Sequence, residues 1–162
     1  MIYFAMIYSK IKYGLCSYGF AKKVRMDPLQ VIQNKLVKVL LDKKMQYPTN
    51  NLHQDLDVLK VNDIFKQEVA TFVLNYLKGN LPDVFCNYFI TFGETHSIRT
   101  RNSNKLITPL FKGYGVHTVK SKGCSIWNSL SNDQRGIQNP KAFRKTFKDN
   151  MIKKAYKTIQ LI

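Results

Sequence analysis

Basic side chains alternate with small hydroxyl and amide side chains in one turn-rich stretch of the chain. Arg99 and Arg101 flank a threonine there, and the polar run continues with Asn102, Ser103, Asn104 and Lys105. A guanidinium group can bind a phosphate through two parallel hydrogen bonds, and short hydroxyl and amide groups can add single ones. The pattern therefore predicts a phosphate-binding loop, although a solvated charged loop accounts for the composition equally well.

Further lysines follow this stretch, with aromatic residues between them. Phe111 and Tyr114 are the interleaved rings, and a ring beside a cation can stack on a base or a ribose. The alternative is that the rings belong to a core and the lysines only to solvent. The candidate nucleic-acid contacts are Arg99, Arg101, Lys105, Lys112, Lys120 and Lys122, with Lys35 and Lys38 as a second group.

The only tryptophan, Trp127, lies between Ile126 and Leu130 in the segment I-W-N-S-L. Apolar neighbours on both sides favour an indole that anchors a small core over one that stacks on a base.

Catalytic constellations are missing from the sequence. A two-metal polymerase site needs carboxylates gathered at one place, and the only close acidic pair is Asp55 and Asp57. We interpret that pair as solvated or capping carboxylates. The three cysteines and three histidines show no paired metal-ligand spacing. We therefore expect no enzyme activity from this chain alone, and no metal or cofactor.

The charge balance limits the partners. The chain has 26 Lys and Arg against 10 Asp and Glu, a net charge of +16, which attracts polyanions. Nucleic acid is the first expected partner and an anionic membrane the second, while a soluble protein that is merely basic is the alternative.

The apolar N-terminal run through Tyr8 is too short to span a bilayer, and its positive charges follow rather than precede it. The odd number of dispersed cysteines suits a reducing compartment. We expect an intracellular protein, cytoplasmic or nuclear, without a membrane anchor.

Helical periodicity dominates residues 1–92. An uncapped apolar helix opens the chain, and we expect its packing partners to lie upstream. Asp27-Pro28 predicts the start of a second helix, and a short helix is expected near Leu52–Leu59. Asn62 predicts the cap of the best-patterned helix, which Gly79 ends. In the second helix the apolar positions Leu29, Ile32, Leu36 and Leu40 are expected to face inward, with Lys35 and Lys38 outward.

Residues 93–162 are expected to form a smaller basic α+β subdomain. Brief strands are predicted over 106–111 and 116–119, joined by a hairpin, with a helical turn or two over 124–130. Asn139-Pro140 predicts a last helix with Phe143 and Phe147 on its apolar face. The expected fold is therefore mainly α: a helical bundle over 1–92, then the α+β subdomain.

Six segments in this order resemble reverse transcriptases of non-LTR (LINE-type, jockey-like) retrotransposons. They are residues 3–19, 29–40, 59–73, 80–89 (N-L-P-D-V-F-C-N-Y-F), 96–101 (H-S-I-R-T-R) and 126–130 (I-W-N-S-L). Tyr18 stands where the family usually has Trp, and the Y/F-x-D-D motif of the polymerase is absent.

The resemblance implies thumb-like helices and a C-terminal tail, without the fingers and palm that would precede them. It implies a fragment that grips the template–primer or the element RNA, so its ligand would be RNA, DNA or a hybrid of the two. The parent polymerase would need Mg²⁺. The alternatives are a truncated transposon remnant with no independent function and a free-standing basic protein of ribosomal or chromatin type.

Overall fold

The computed structural model of the protein describes residues 2–95 and 103–159. The side chains of Asn50, Tyr114 and 155–159 are not described. Most of the described residues are helical. A π-helical segment over Tyr3–Tyr8 runs into α1, Ser9–Lys12. Gly14, with a φ of 66°, separates α1 from α2, Leu15–Tyr18. The N-terminal apolar run through Tyr8 is therefore helical, as predicted, but its helix is π-helical and ends with α1 at Lys12.

The first long helix, α3, spans Lys23–Leu40. It begins before Asp27, so the prediction that Asp27-Pro28 opens this helix was wrong. Pro28 lies inside the helix, where its missing N–H removes one hydrogen bond. The residues before it still form the first turn, in which the N–H groups of Arg25 and Met26 donate to the Lys22 carbonyl.

The orientation of α3 also differs from the prediction. Ile32 is 53% exposed and Leu36 38%, whereas Gln33, Val37 and Lys38 are buried. Lys38 was expected to point outward, but its ammonium Nζ donates a hydrogen bond of 2.6 Å to the Met45 carbonyl. The prediction failed because buried polar side chains in α3 find hydrogen-bond partners, which apolar periodicity does not reveal.

Two further helices complete the first part of the chain: α4, Thr49–Asp55, and α5, Val61–Leu77. Helix α5 is the best-patterned helix that was predicted, but it begins at Val61, so the prediction that Asn62 caps it was wrong. Phe65, Val69 and Val73 are buried as expected, although Leu77 is 39% exposed. Gly79 follows with a φ of 67°, the left-handed conformation that commonly ends a helix.

The second half contains shorter elements and one long helix. They are the 3₁₀ turn Asp83–Phe85, α6 (Phe92–Thr95), the 3₁₀ turn Gly113–His117, α7 (Val119–Asn128), α8 (Asn132–Arg135) and α9 (Pro140–Ile159). Asn139 Oδ1 accepts hydrogen bonds from the N–H groups of Lys141 and Ala142. The predicted cap and start of α9 are therefore confirmed, and Phe143 and Phe147 are buried.

The predicted α+β subdomain was wrong. Residues 113–117 form a 3₁₀ turn instead of a hairpin loop, and among the described residues the β pairing is limited to one bridge, Thr91 with Leu106. Leu106 has its main-chain groups bound by the side chain of Asn128, so a second strand is not needed to satisfy them. The fold is mainly α.

Contacts divide the described residues into two units: those of 1–67 with 146–162, and those of 68–145. The expected boundary between residues 92 and 93 falls inside the second unit. In the first unit Tyr3, Val37, Leu52 and Val58 form a buried cluster. In the second, Trp127 and Phe143 are buried with ring centroids 6.1 Å apart, which confirms that the tryptophan is a core residue.

Within 2–95 and 103–159, no helix combines the length and the apolar character needed to cross a membrane.

Candidate nucleic-acid interface

Two of the candidate lysines, Lys120 and Lys122, lie near the N-terminus of α7. Thr118 caps this helix, and its Oγ1 accepts a hydrogen bond of 3.4 Å from the Ser121 N–H. The partial positive charge of a helix N-terminus disfavours cations. The two lysines therefore do not stabilise α7, which leaves their charge for an anionic ligand.

Lys120 is positioned by an aromatic ring. Its ammonium Nζ lies 5.5 Å from the centroid of the Tyr88 ring, within the range of a cation–π contact. Burial raises the pKa of Tyr88, and a main-chain hydrogen bond with Lys120 opposes that rise. Tyr88 itself is held by edge-on contacts with Phe85 and Phe89. A phenol ring and an ammonium group are thus fixed side by side at the surface of the second unit.

Lys112 lies at the tip of an exposed loop. The preceding Leu110 is fully exposed and Phe111 is 40% exposed, and the side chain of Lys112 is exposed as well. Phe111 is confined on one side because Gly115 lies against its side chain, where a Cβ would come within 2.9 Å of the Phe111 Cβ. The loop thus presents apolar and aromatic surface next to a cation, a combination suited to stacking on unpaired bases.

Lys105 and Lys122 are half-buried with their main chains fixed. The Lys105 carbonyl accepts a hydrogen bond of 3.0 Å from Phe92 N–H, and the Lys122 N–H donates one of 2.9 Å to the Thr118 carbonyl. Lys120 and Lys122 are two residues apart in a helix and so point in different directions. The four lysines therefore spread over part of the unit's surface.

Acidic residues are absent from the sequence between Glu94 and Asp133, which includes Arg99, Arg101 and all four lysines. Ion pairs in the described part of the chain include Lys66–Asp63, Arg144–Glu68 and Lys148–Asp57. None of them uses Lys105, Lys112, Lys120 or Lys122. The positive charge of this segment is thus left for other partners.

The other four candidate nucleic-acid contacts differ in where they lie. Arg99 and Arg101 lie outside the described residues, so the phosphate-binding loop stays a prediction. Lys35 is exposed on α3 in the first unit. Lys38 is buried against Met45, so it offers no free ammonium to a ligand.

The acidic pair of the sequence is engaged with neighbouring side chains. Asp55 Oδ2 accepts a hydrogen bond of 2.7 Å from Tyr47 O–H, and Asp57 pairs with Lys148. In the part of the chain that the structure describes, His, Cys, Asp and Glu side chains do not gather in any group of three or more that could hold a metal ion.

A groove of about 440 Å³ lies in the first unit beside Phe65. Two lysines and two aspartates line it: Lys23, Lys60, Asp27 and Asp63. Its charges balance, so the groove lacks the positive potential that would attract a phosphate backbone. The lysines of the second unit are the better candidates.

Sequence reasoning missed Tyr88 and Leu110. Tyr88 belongs to the aromatic cluster with Phe85 and Phe89, and nothing in its local sequence indicates that α7 brings Lys120 over its ring. Leu110 is apolar and was assigned to a strand, and its full exposure follows from the absence of that strand.

No protein-family model matches the chain, and searches of curated proteins and of solved structures likewise found no match.

Proposed function

We propose that this chain binds nucleic acid, with Lys105, Lys112, Lys120 and Lys122 of the second unit contacting phosphates. The observation that carries the proposal is the 95–132 segment, which has no acidic residue and whose described lysines are outside the ion pairs of the described chain. Arg99 and Arg101 belong to the same segment and are proposed to contribute through bidentate phosphate contacts.

Partly exposed rings supply a contribution that charge alone does not. Tyr88 beside Lys120 and Phe111 beside Lys112 offer surfaces on which bases can stack. Stacking needs unpaired bases, so we expect single-stranded RNA or the end of a hybrid to bind more tightly than continuous duplex DNA.

We also propose that the chain corresponds to the thumb and tail of a non-LTR reverse transcriptase. The support is the order of the six resembling segments, together with a helical chain. In that role the fragment grips the template–primer or the element RNA and performs no catalysis. A reading frame upstream of Met1 that encodes a Y/F-x-D-D motif would support this assignment, and an unrelated frame would contradict it.

The binding proposal is tested by titrating the protein with labelled single-stranded RNA, RNA–DNA hybrid and duplex DNA at several salt concentrations. On a duplex, log affinity should fall with log salt at a slope of about −0.9 for each phosphate contacted. Replacing Lys112, Lys120 and Lys122 together by Gln should reduce the magnitude of that slope by about 2–3.

The matched control replaces Lys22, Lys23 and Lys44 by Gln, which removes the same charge from exposed positions of the first unit. If both triple variants lower the slope equally, the affinity follows net charge alone and the proposed interface is wrong. Equal binding of heparin and of all three nucleic acids would instead favour a remnant without specific function.

A further inference from the structure

Helix α3 carries apolar residues on its exposed side as well as on its buried side. In a surface helix the apolar stripe faces the core and the polar side faces solvent. In α3 the buried positions are Gln33, Val37 and Lys38, and the exposed ones include Val24, at 81%, and Val39, at 72%. Single exposed apolar residues are ordinary, but two buried polar residues opposite several exposed apolar ones require an explanation for both sides of the helix.

The polar residues on the inward side are explained by hydrogen bonds. Gln33 Nε2 donates to Tyr3 O–H at 2.7 Å and to the Leu59 carbonyl at 2.8 Å. Gln30 Nε2 donates to Asn34 Oδ1 at 2.8 Å, and Gln30 Oε1 accepts from Val61 N–H at 2.9 Å. These bonds fix the start of α5 and the segment before it against α3. Polar residues are thus required on this side.

The outward apolar side is continuous. At 100° per residue, Val24, Val31, Ile32 and Val39 fall within an arc of about 100°, and all four are at least half exposed. Leu36, 38% exposed, extends the arc at its edge. Lys35 lies in the middle of the arc, one turn from both Val31 and Val39. The face is therefore an apolar stripe with one cation at its centre.

We propose that this α3 face, defined by Val24, Val31, Ile32, Lys35 and Val39, docks a protein partner that presents apolar side chains around a carboxylate. The carboxylate pairs with Lys35, which is exposed and has no acidic residue on its own arc. An ammonium enclosed by apolar contacts on both sides costs free energy unless a carboxylate accompanies it, so charge complementarity specifies the partner.

The same charge argues against two other occupants. A second copy of the chain would bring one Lys35 face towards another, and each chain carries a net charge of +16. A bilayer would cover the apolar residues but would leave Lys35, in the middle of the stripe, without a fixed counter-charge at its own position. A protein surface can place a carboxylate there.

The test is selection from a displayed library of helical peptides with fixed leucines at one face and one randomised central position. The full chain should enrich Asp or Glu at the central position, and the Lys35→Glu variant should instead enrich Lys or Arg. An Ile32→Asp, Val39→Asp double variant should bind the selected peptides at least about tenfold more weakly. Both altered residues are exposed, and far-UV circular dichroism checks that the helices remain.

Matched controls are Lys44→Glu, an exposed charge reversal outside the face, and Val84→Asp, an exposed apolar position in the second unit. Both should leave peptide binding unchanged. The proposal is overturned if the central position shows no acidic preference. It is also overturned if Ile32→Asp instead abolishes self-association in sedimentation or binding to phosphatidylcholine–phosphatidylserine vesicles.

Discussion

The side-chain amide of Asn128 binds both main-chain polar groups of Leu106. Its Oδ1 accepts from Leu106 N–H at 2.9 Å, and its Nδ2 donates to the Leu106 carbonyl at 2.8 Å. On the other side of this segment, Lys105 C=O and Ile107 N–H bind the main chain of Phe92 and Ile90. One amide on α7 thus takes the place of a neighbouring strand.

Replacing Asn128 by Asp should destabilise the second unit. A carboxylate can still accept from the Leu106 N–H, but it repels the Leu106 carbonyl, which is left without a donor. We expect a loss of about 2–3 kcal/mol in the free energy of unfolding. Trp127, the only tryptophan and in the same unit, makes fluorescence during urea denaturation the measurement. The control is Asn104→Asp at an exposed side chain, where a loss as large would contradict the role given to Asn128.

Gly19 and Gly136 end α2 and α8 with φ values of −65° and −72°, which any residue adopts. A Cβ on Gly19 would collide with the Phe65 ring and lie 2.6 Å from the Leu15 carbonyl oxygen, whereas at Gly136 the nearest atoms are 3.5 Å away. Gly19→Ala should therefore destabilise the protein by about 2 kcal/mol. Gly136→Ala should be neutral or stabilise it by up to about 1 kcal/mol. Thermal denaturation of both variants compares them, and equal effects would contradict the close packing at Phe65.

His53 should make stability fall in weak acid. Burial, with a smaller contribution from Lys60 and against the effect of Asp63, lowers its pKa from 6.5 to about 4. Between these values the unfolded chain binds a proton that the folded chain does not. The stability present above pH 6.5 is therefore lost progressively as the pH falls towards 4, by up to about 3 kcal/mol.

Chemical denaturation at pH 7.5, 6.0 and 5.0 measures this loss, and His53→Gln should have a shallower pH dependence than the unaltered chain. His117→Gln, at an exposed position, is the matched control and should change nothing. Identical pH profiles for the unaltered chain and His53→Gln would show that the imidazole is not buried.

The three cysteines should react with iodoacetamide in the order of their exposure. Cys86 is exposed, Cys16 half-buried and Cys124 buried. Burial also raises the pKa of Cys124 to about 11, so little of the reactive thiolate forms at pH 8. Mass spectrometry of a time course should find Cys86 alkylated first and Cys124 only in denaturant. Early alkylation of Cys124 in the folded protein would contradict its place in the core.

Much of the helical structure could be predicted because its causes are local. Asn139 begins a helix and Gly79 ends one through the chemistry of the residue itself. Apolar residues recur at helical spacing along α5, and Phe143 and Phe147 do so near the start of α9. The α3 face could not be predicted that way, because the buried side of α3 is set by hydrogen bonds from Gln33 to Tyr3 and Leu59, which are distant in sequence. The predicted strand at Leu106 failed for a similar reason, since its partner is a side chain.

In the candidate site, too, the features with local causes could be predicted and those that depend on distant contacts could not. The lysines could be identified from composition, because a segment rich in cations and without acids must carry its charge to the surface. The contact of Lys120 with Tyr88 could not, because it joins residues 32 positions apart through the packing of α7. Lys38 shows the limit of composition, because nothing in the amino-acid sequence indicates that its ammonium group is buried and donates a hydrogen bond to the Met45 carbonyl.

The Asn128 clamp also bears on chemical ageing. Asn128 precedes Ser129, and deamidation of such a pair requires the Ser129 nitrogen to attack the Asn128 side-chain carbon. In the folded chain both ends of that amide are held by Leu106, and the Ser129 N–H is bonded within α7. Deamidation should therefore proceed mainly from unfolded molecules. Its hydrolysis products include an aspartate in place of Asn128, which is the change expected to weaken the fold. A molecule that has deamidated therefore unfolds more easily than before. A reversible unfolding event is thereby converted into an irreversible loss of native protein.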